Sequence, residues 1–333
     1  MEFVYGWHCS SGYRWHDFNW DCGLSLEFPY SLLRQHCHAL ASTFLREYMM
    51  NASNTDKMSD VVSDQATLEL KDVSRVFGDE WEREEIIKDF SLTVRPGELT
   101  VIVGPSGCGK STLVNLIAGF DKPDSGEVLL NGEKITSPSN DRMVVFQETA
   151  LIPWQTTLEN VVFGPKLRGK RSTSEIETEA NNLLDKVGLS EFKEKYPIQL
   201  SGGMQRRAEL ARAMINHPLV MIMDEPFRGL DAMSRELMQE FFVRLFEENR
   251  RTNLFVTSEI EEAIFLADRL VVLSNRPTSV RQIIDIELPR PRDFHMLSSR
   301  EAYEYKKQAM EILHEEAMKS FNRTDGGYQP VAE

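Results

Sequence analysis

Two short runs in this chain are apolar without alternation: Leu99-Thr-Val-Ile-Val103, broken only by Thr100, and Leu219-Val-Met-Ile-Met223. A strand with one wet face alternates; a strand covered on both faces does not, so each run predicts an interior strand of a parallel sheet. Asn253-Leu-Phe-Val-Thr257 reads the same way, and Thr112-Leu-Val-Asn-Leu-Ile-Ala118 predicts the start of a helix. Residues 66–102 predict short strands, with acidic Asp79-Glu-Trp-Glu-Arg-Glu-Glu85 as an exposed hairpin tip. Residues 148–215 predict a mostly helical lobe. Within it Ile176, Leu183, Leu184 and Val187 fall on one side of a helix, and Met204, Ala208, Leu210, Ala211 and Met214 recur along another. Residues 216–275 return to strand, helix and strand. Val280 to Leu288 predicts one more strand. Ser298 to Lys319 predicts a charged helix whose apolar face is Tyr303, Met310, Ile312 and Leu313, and the last ten or so residues predict a frayed end. The expected fold is α/β: a mostly parallel core sheet with flanking helices, a small antiparallel β lobe and a helical lobe. No internal repeat is found.

The chemistry sits where the apolar runs end. Gly104-Pro105-Ser106-Gly107-Cys108-Gly109-Lys110-Ser111, followed by Thr112, fits G-x-x-x-x-G-K-[ST] between a strand and a helix. Glycines let such a loop curl its N–H groups inward onto phosphate oxygens, and the helix N-terminus adds partial positive charge. Lys110 is placed to reach the β- and γ-phosphates and Ser111 to bind Mg²⁺. Average residue usage gives roughly a 1% chance of such a pattern in a chain this long. The rival reading is a glycine turn before an ordinary helix. The second run ends in Asp224-Glu225-Pro226. Asp224 is placed to hold Mg²⁺ and Glu225 to polarise an attacking water; alone, the pair would read as a solvated strand end. Leu200-Ser-Gly-Gly-Met-Gln205 places Ser201, Gly202 and Gly203 at a helix start, which is either a second anion site or a simple cap.

Taken in order, these segments resemble the ATP-binding subunit of an ABC transporter, over about residues 66–288. The resemblance implies a P-loop NTPase cassette with ATP and Mg²⁺ as ligands. Phe77 would stack on adenine, although an aromatic ending a strand also suits a core. Gln147 would touch Mg²⁺ and the attacking water, and Glu225 would be the catalytic carboxylate. Ser201 to Gly203 would bind the γ-phosphate held by the opposite subunit, and Leu230-Asp231 would cross the dimer interface. One position departs from the family: where it usually carries a histidine after the strand that follows Asp-Glu, this chain has Ser258. A serine hydroxyl is shorter and cannot carry positive charge. Either Ser258 or a water bridge does the work with slower hydrolysis, or the subunit binds ATP and relies on a differing partner for turnover.

Asp141-Arg-Met-Val-Val-Phe-Gln147, Ala150-Leu-Ile-Pro-Trp154, Thr157-Leu-Glu-Asn-Val161, Arg276-Pro and Leu288-Pro-Arg-Pro-Arg292 are similar to the ATPases of nitrate, bicarbonate, sulfonate and taurine importers. That likeness implies a groove after Gln147 for a permease helix, with Trp154 as an apolar anchor. Partners would be a second ATPase subunit, identical or not, membrane permease subunits and, indirectly, a periplasmic or extracellular solute-binding protein. The subunit would sit on the cytoplasmic face of the plasma membrane. Ribosomal relatives usually carry two cassettes and chromosomal ones a long coiled coil, and neither feature occurs here.

Bulk properties agree. The 333 residues are 41% hydrophobic and 27% charged, with a net charge of −14. Such a balance opposes nucleic acid as a main partner and adsorption to anionic lipid. No apolar run approaches the roughly 18 residues needed to span a bilayer. Cys108 stands inside the phosphate loop, where a disulfide has no role, which fits a reducing compartment. Residues 1–65 form a non-family extension in which residues 1–57 hold Cys9, Cys22, Cys37, four histidines and three tryptophans. The cysteine gaps do not suit zinc, and the start does not suit a signal peptide. Translation is expected to begin at Met50 or Met58, which N-terminal sequencing of the native protein checks. Residues 289–333 are expected to form a helical tail.

Overall fold

The computed structural model describes residues 66–78 and 83–324. The expectations for residues 1–65, including zinc and the start site, and for the hairpin tip at 79–82 lie outside the described residues.

Two sheets carry the fold. The smaller has the order β2-β1-β4-β5 and is antiparallel: β1 (Leu68–Phe77), β2 (Glu84–Val94), β4 (Ser125–Leu130) and β5 (Glu133–Lys134). The larger has the order β10-β9-β3-β8-β7-β6, with β3 (Leu99–Val103), β6 (Arg142–Val145), β7 (Val220–Asp224), β8 (Thr252–Thr257), β9 (Arg269–Leu273) and β10 (Val280–Asp285). Its strands are parallel except β10, an antiparallel edge. Every residue of β3, β8 and β9 is buried, which is why the centres of these segments are apolar without alternation.

Helices cover both faces: α1 (Lys110–Ala118), α5 (Ala232–Glu248), α6 (Ile260–Leu266) and α7 (Arg300–Thr324). One core lies between the larger sheet and α5–α7, built around Phe227, Phe242 and Phe255, whose ring centroids stand 5.6 to 6.2 Å apart. A second core joins the small sheet to α1 and the other face of β3, β7, β8 and β9. A third fills the helical lobe of α2 (Thr157–Arg168), α3 (Thr173–Lys186) and α4 (Gly202–Met214). Capping boxes start two of these helices, Thr156 with Glu159 and Ser172 with Glu175. Ile176, Ala180 and Leu184 form the buried stripe of α3. Among the described residues no helix is long and apolar enough to cross a membrane.

The tail helix corrects the sequence reading. Tyr303 and Met310 are exposed, and the inward stripe is Ala302, Ala309 and Glu316, with Ile312 and Leu313 beside it. Small alanines let α7 pack closely onto the core, and Glu316 is buried because it binds the Asn275 backbone and two cationic side chains.

Candidate functional site

Four neighbouring parallel strands, β3, β8, β7 and β6, end on the same edge of the sheet. The site is assembled from the residues at those ends: the glycine loop after Val103, Ser258 after Thr257, Asp224-Glu225 closing β7, and Gln147 two residues past Val145. Loops at the carboxyl ends of such strands form the binding crevice of open α/β sheets.

The glycine loop enters α1 through Gly109, whose φ is 113°. A Cβ there would stand 2.9 Å from Ile86 Cγ2 and 3.2 Å from Thr278 Oγ1, so both conformation and space require glycine. Lys110 is buried; its Nζ donates to the carbonyls of Gly104 (3.0 Å) and Pro105 (3.1 Å) and lies 4.0 Å from Glu225 Oε1. Cys108 is buried too, and burial pushes its thiol pKa up against the opposing pull of Lys110. Pro105, Ser106 and Gly107 stand at the partly open rim, and Thr112 lies in the first turn of α1.

The Ser111 hydroxyl lies close enough to Asp224 to favour its charged form. Burial raises the Asp224 pKa, the neighbouring Glu225 charge adds to the rise, and Ser111 and Lys110 oppose it. A hydroxyl beside a half-buried carboxylate is a hard-oxygen donor set that fits Mg²⁺. Glu225 is buried in the left-handed region, φ 44°, which is uncommon for a side chain of its size. Its N–H donates to Val256 O (2.8 Å), and Phe227, two residues on, plugs the aromatic core. The strained turn is thus held from both sides. Arg228 Nη1 pairs with Glu225 Oε2 at 2.8 Å.

The other sequence-derived residues divide. Ser258 and Gln147 are exposed at the same sheet edge. Phe77 is 43% exposed beneath the Arg75 guanidinium, 4.7 Å from its ring centroid, so it does not pack in a core. Trp154 is 40% exposed. Ser201 caps α4 by accepting from Met204 N–H (3.3 Å), with Gly202 and Gly203 opening the first turn. A Cβ on Gly202 would stand 3.2 Å from Leu230 Cδ2, so this turn and Leu230-Asp231 adjoin. Asp231 caps α5 by accepting from Ser234 N–H (3.0 Å), and the Ser234 side chain, with that backbone bond, holds its carboxyl below the usual range.

Sequence reasoning missed a buried clamp behind Gln147. Arg206, on α4, donates to Phe146 O (2.7 Å) and Gln147 O and pairs with Glu209 at 2.7 Å. Glu209 accepts from Ala150 N–H at 2.5 Å, and Arg212 donates to Ala150 O at 2.7 Å. The available signal was the i, i+3 spacing of Arg206 and Glu209. Arg276 and Thr278, which touch the glycine loop, were also missed as site residues.

Residues 87–228 match the ABC transporter family. The taurine import ATP-binding protein of Roseobacter denitrificans is 46% identical over 198 residues, 60% of this chain and 74% of that protein. The nitrate import ATP-binding protein of Synechococcus elongatus is 46% identical over 209 residues, 62% of this chain and 76% of that protein. A solved dimeric ATP-binding cassette in a post-hydrolysis state, bound to ADP and Pi, is 31% identical. It superposes with a TM-score of 0.58, covering 67% of this chain and all of that one.

Proposed function

The chain belongs to the ABC transporter family, and on that premise we propose that it is the energy-coupling ATPase of an importer for a small anion or organic solute of the nitrate, sulfonate or taurine kind. It is an ATP-binding ATPase subunit of import systems. The observation that carries the mechanism is the convergence of Lys110, Ser111, Asp224 and Glu225 at the ends of β3 and β7, the two strands that flank β8.

Amides of the glycine loop and Lys110 grip the β- and γ-phosphates. Ser111 and Asp224, with Gln147 nearby, would hold Mg²⁺, which neutralises phosphate charge when bound. Glu225 accepts a proton from the attacking water, and Ser258 helps to position that water. Phe77 offers an exposed ring to the adenine. The turn Ser201-Gly202-Gly203 faces the nucleotide of a second copy, and Asp231 lines the seam between copies. ATP would therefore be sandwiched between two subunits, each sandwich using one subunit's Lys110 and the other's Ser201. Closure pushes on the permease, and hydrolysis reopens the pair. Trp154, exposed beside the Gln147 loop, is the anchor for a permease helix on the cytoplasmic face of the membrane. A solute-binding protein on the far side would choose the cargo.

Ser258 favours one second reading: an ATP-gated subunit with weak turnover, paired with a more active one. ATPase assay of the purified protein separates the two. The main reading expects Mg²⁺-dependent turnover that Glu225→Gln lowers by about a hundredfold or more. Turnover at the Glu225→Gln level in the parent protein supports the second reading.

A further inference from the structure

The loop between β9 and β10, Ser274 to Ser279, touches the phosphate cradle from behind. Arg276 Nε donates to Gly107 O at 2.6 Å, and the buried Thr278 hydroxyl donates to Cys108 O. These are consecutive carbonyls of the glycine loop. In a planar trans peptide the C=O and the following N–H point opposite ways. Holding Gly107 O aims the Cys108 N–H across the loop, where it meets Pro105 O at 3.3 Å. Holding Cys108 O likewise aims the Gly109 N–H away from Thr278.

The loop that does this is fixed by two elements, β2 and α7. Thr278 N–H donates to Ile86 O (2.7 Å) and Thr278 O accepts from Lys88 N–H (3.2 Å), tying it to β2. Arg276 Nη1 pairs with Glu84 at 2.8 Å. On the far side Asn275 N–H donates to Glu316 Oε2 (2.9 Å) and the Asn275 side-chain amide to Glu316 O. Glu316, on α7, is itself buried against Arg281 (3.0 Å) and Lys319 (2.5 Å). A backbone cradle binds phosphate through the orientation of its amides, so groups that fix those peptide planes set its affinity.

We propose that Arg276 and Thr278 are positioning residues for the phosphate loop, and that the tail helix holds them in place through Glu316. This rests on the reading of that loop as the phosphate site. The ligand concerned is the β-phosphate of a nucleoside di- or triphosphate.

The test is equilibrium binding of ATP and ADP to the full chain, with steady-state ATPase kinetics alongside. Thr278→Val removes the hydroxyl at nearly constant volume. Its expected effect is a rise of about tenfold in Kd for both nucleotides, the worth of one buried hydrogen bond. The kinetic change falls in KM rather than kcat. Thr278→Ser, which keeps the hydroxyl, restores the affinity. Arg276→Gln and Glu316→Gln weaken binding in the same direction. The proposal is overturned if Thr278→Val binds both nucleotides as the parent does, if kcat falls at constant KM, or if Thr278→Ser is as weak as Thr278→Val. Should Thr278→Val fail to fold, the exposed Arg276→Gln decides, and an unchanged Kd there overturns the proposal. Lys110→Ala keeps the two levels apart: if it too leaves affinity untouched, the phosphate-loop reading itself fails.

Discussion

Glu209→Leu and Arg206→Met, singly and together, probe the clamp that joins α4 to the Gln147 loop. In the parent, Arg206 and Glu209 are 7% and 3% exposed and their charges meet at 2.7 Å. Glu209→Leu strands a buried guanidinium and leaves the Ala150 amide without its acceptor. Arg206→Met strands a buried carboxylate. Breaking one side of a buried pair costs about 3 to 5 kcal/mol. We take about 3 kcal/mol for each, the low end of that range, since Arg206 keeps its two carbonyls and Glu209 keeps an amide. The double variant strands no charge and frees three backbone groups of an exposed loop, which water can reach, at about 1 kcal/mol each or about 3 kcal/mol in total. The coupling is therefore about 3 kcal/mol. Urea unfolding of the full chain measures it, and amide exchange at residues 146–150 should rise in all three variants. If the double variant costs the sum of the singles to within about 0.5 kcal/mol, Arg206 and Glu209 act independently and do not form a clamp.

Ser258→His is expected to keep or raise ATPase activity, because Lys110, Gln147 and Glu225 are intact; a fall to the Glu225→Gln level would refute that. Glu262 supplies a pH prediction. Burial raises its pKa above 4.5, while Thr257, Gln239 and Arg235 hold the rise down and Glu259 adds to it. A carboxyl with a raised folded pKa contributes stability below its unfolded value and loses that contribution as pH rises through the folded one. Glu262→Gln keeps a hydrogen-bonding partner for Gln239 without the charge, so its stability relative to the parent should grow as pH rises from 4.5. Melting temperatures that fall by the same amount at every pH would reject this.

The sequence shows the catalytic edge clearly because the strands that deliver it are covered on both faces. Burial makes β3, Thr100 aside, and the greater part of β7 apolar without alternation, and the polar residues at their ends then stand out. What was illegible is polar and buried. Arg206 and Glu209 look like a solvated face of an amphipathic helix, yet both are inside because a loop far along the chain needs their hydrogen bonds. Arg276 meets Gly107 across 169 residues, a contact that local periodicity cannot register. The tail helix misled for a related reason. Tyr303 and Met310 outweigh alanine on any hydrophobic count, but close packing in the core selected Ala302 and Ala309.

The mechanism stands or falls on whether the Ser201 turn of one copy closes over the glycine loop of another. Cysteines introduced as Ser106→Cys and Gly203→Cys, in a Glu225→Gln background that retains bound ATP, test it by disulfide crosslinking, with each single variant as control. A covalent dimer is expected only with ATP and Mg²⁺ present; absence of that dimer, in the isolated protein and in the assembled transporter alike, would show that the two elements never meet.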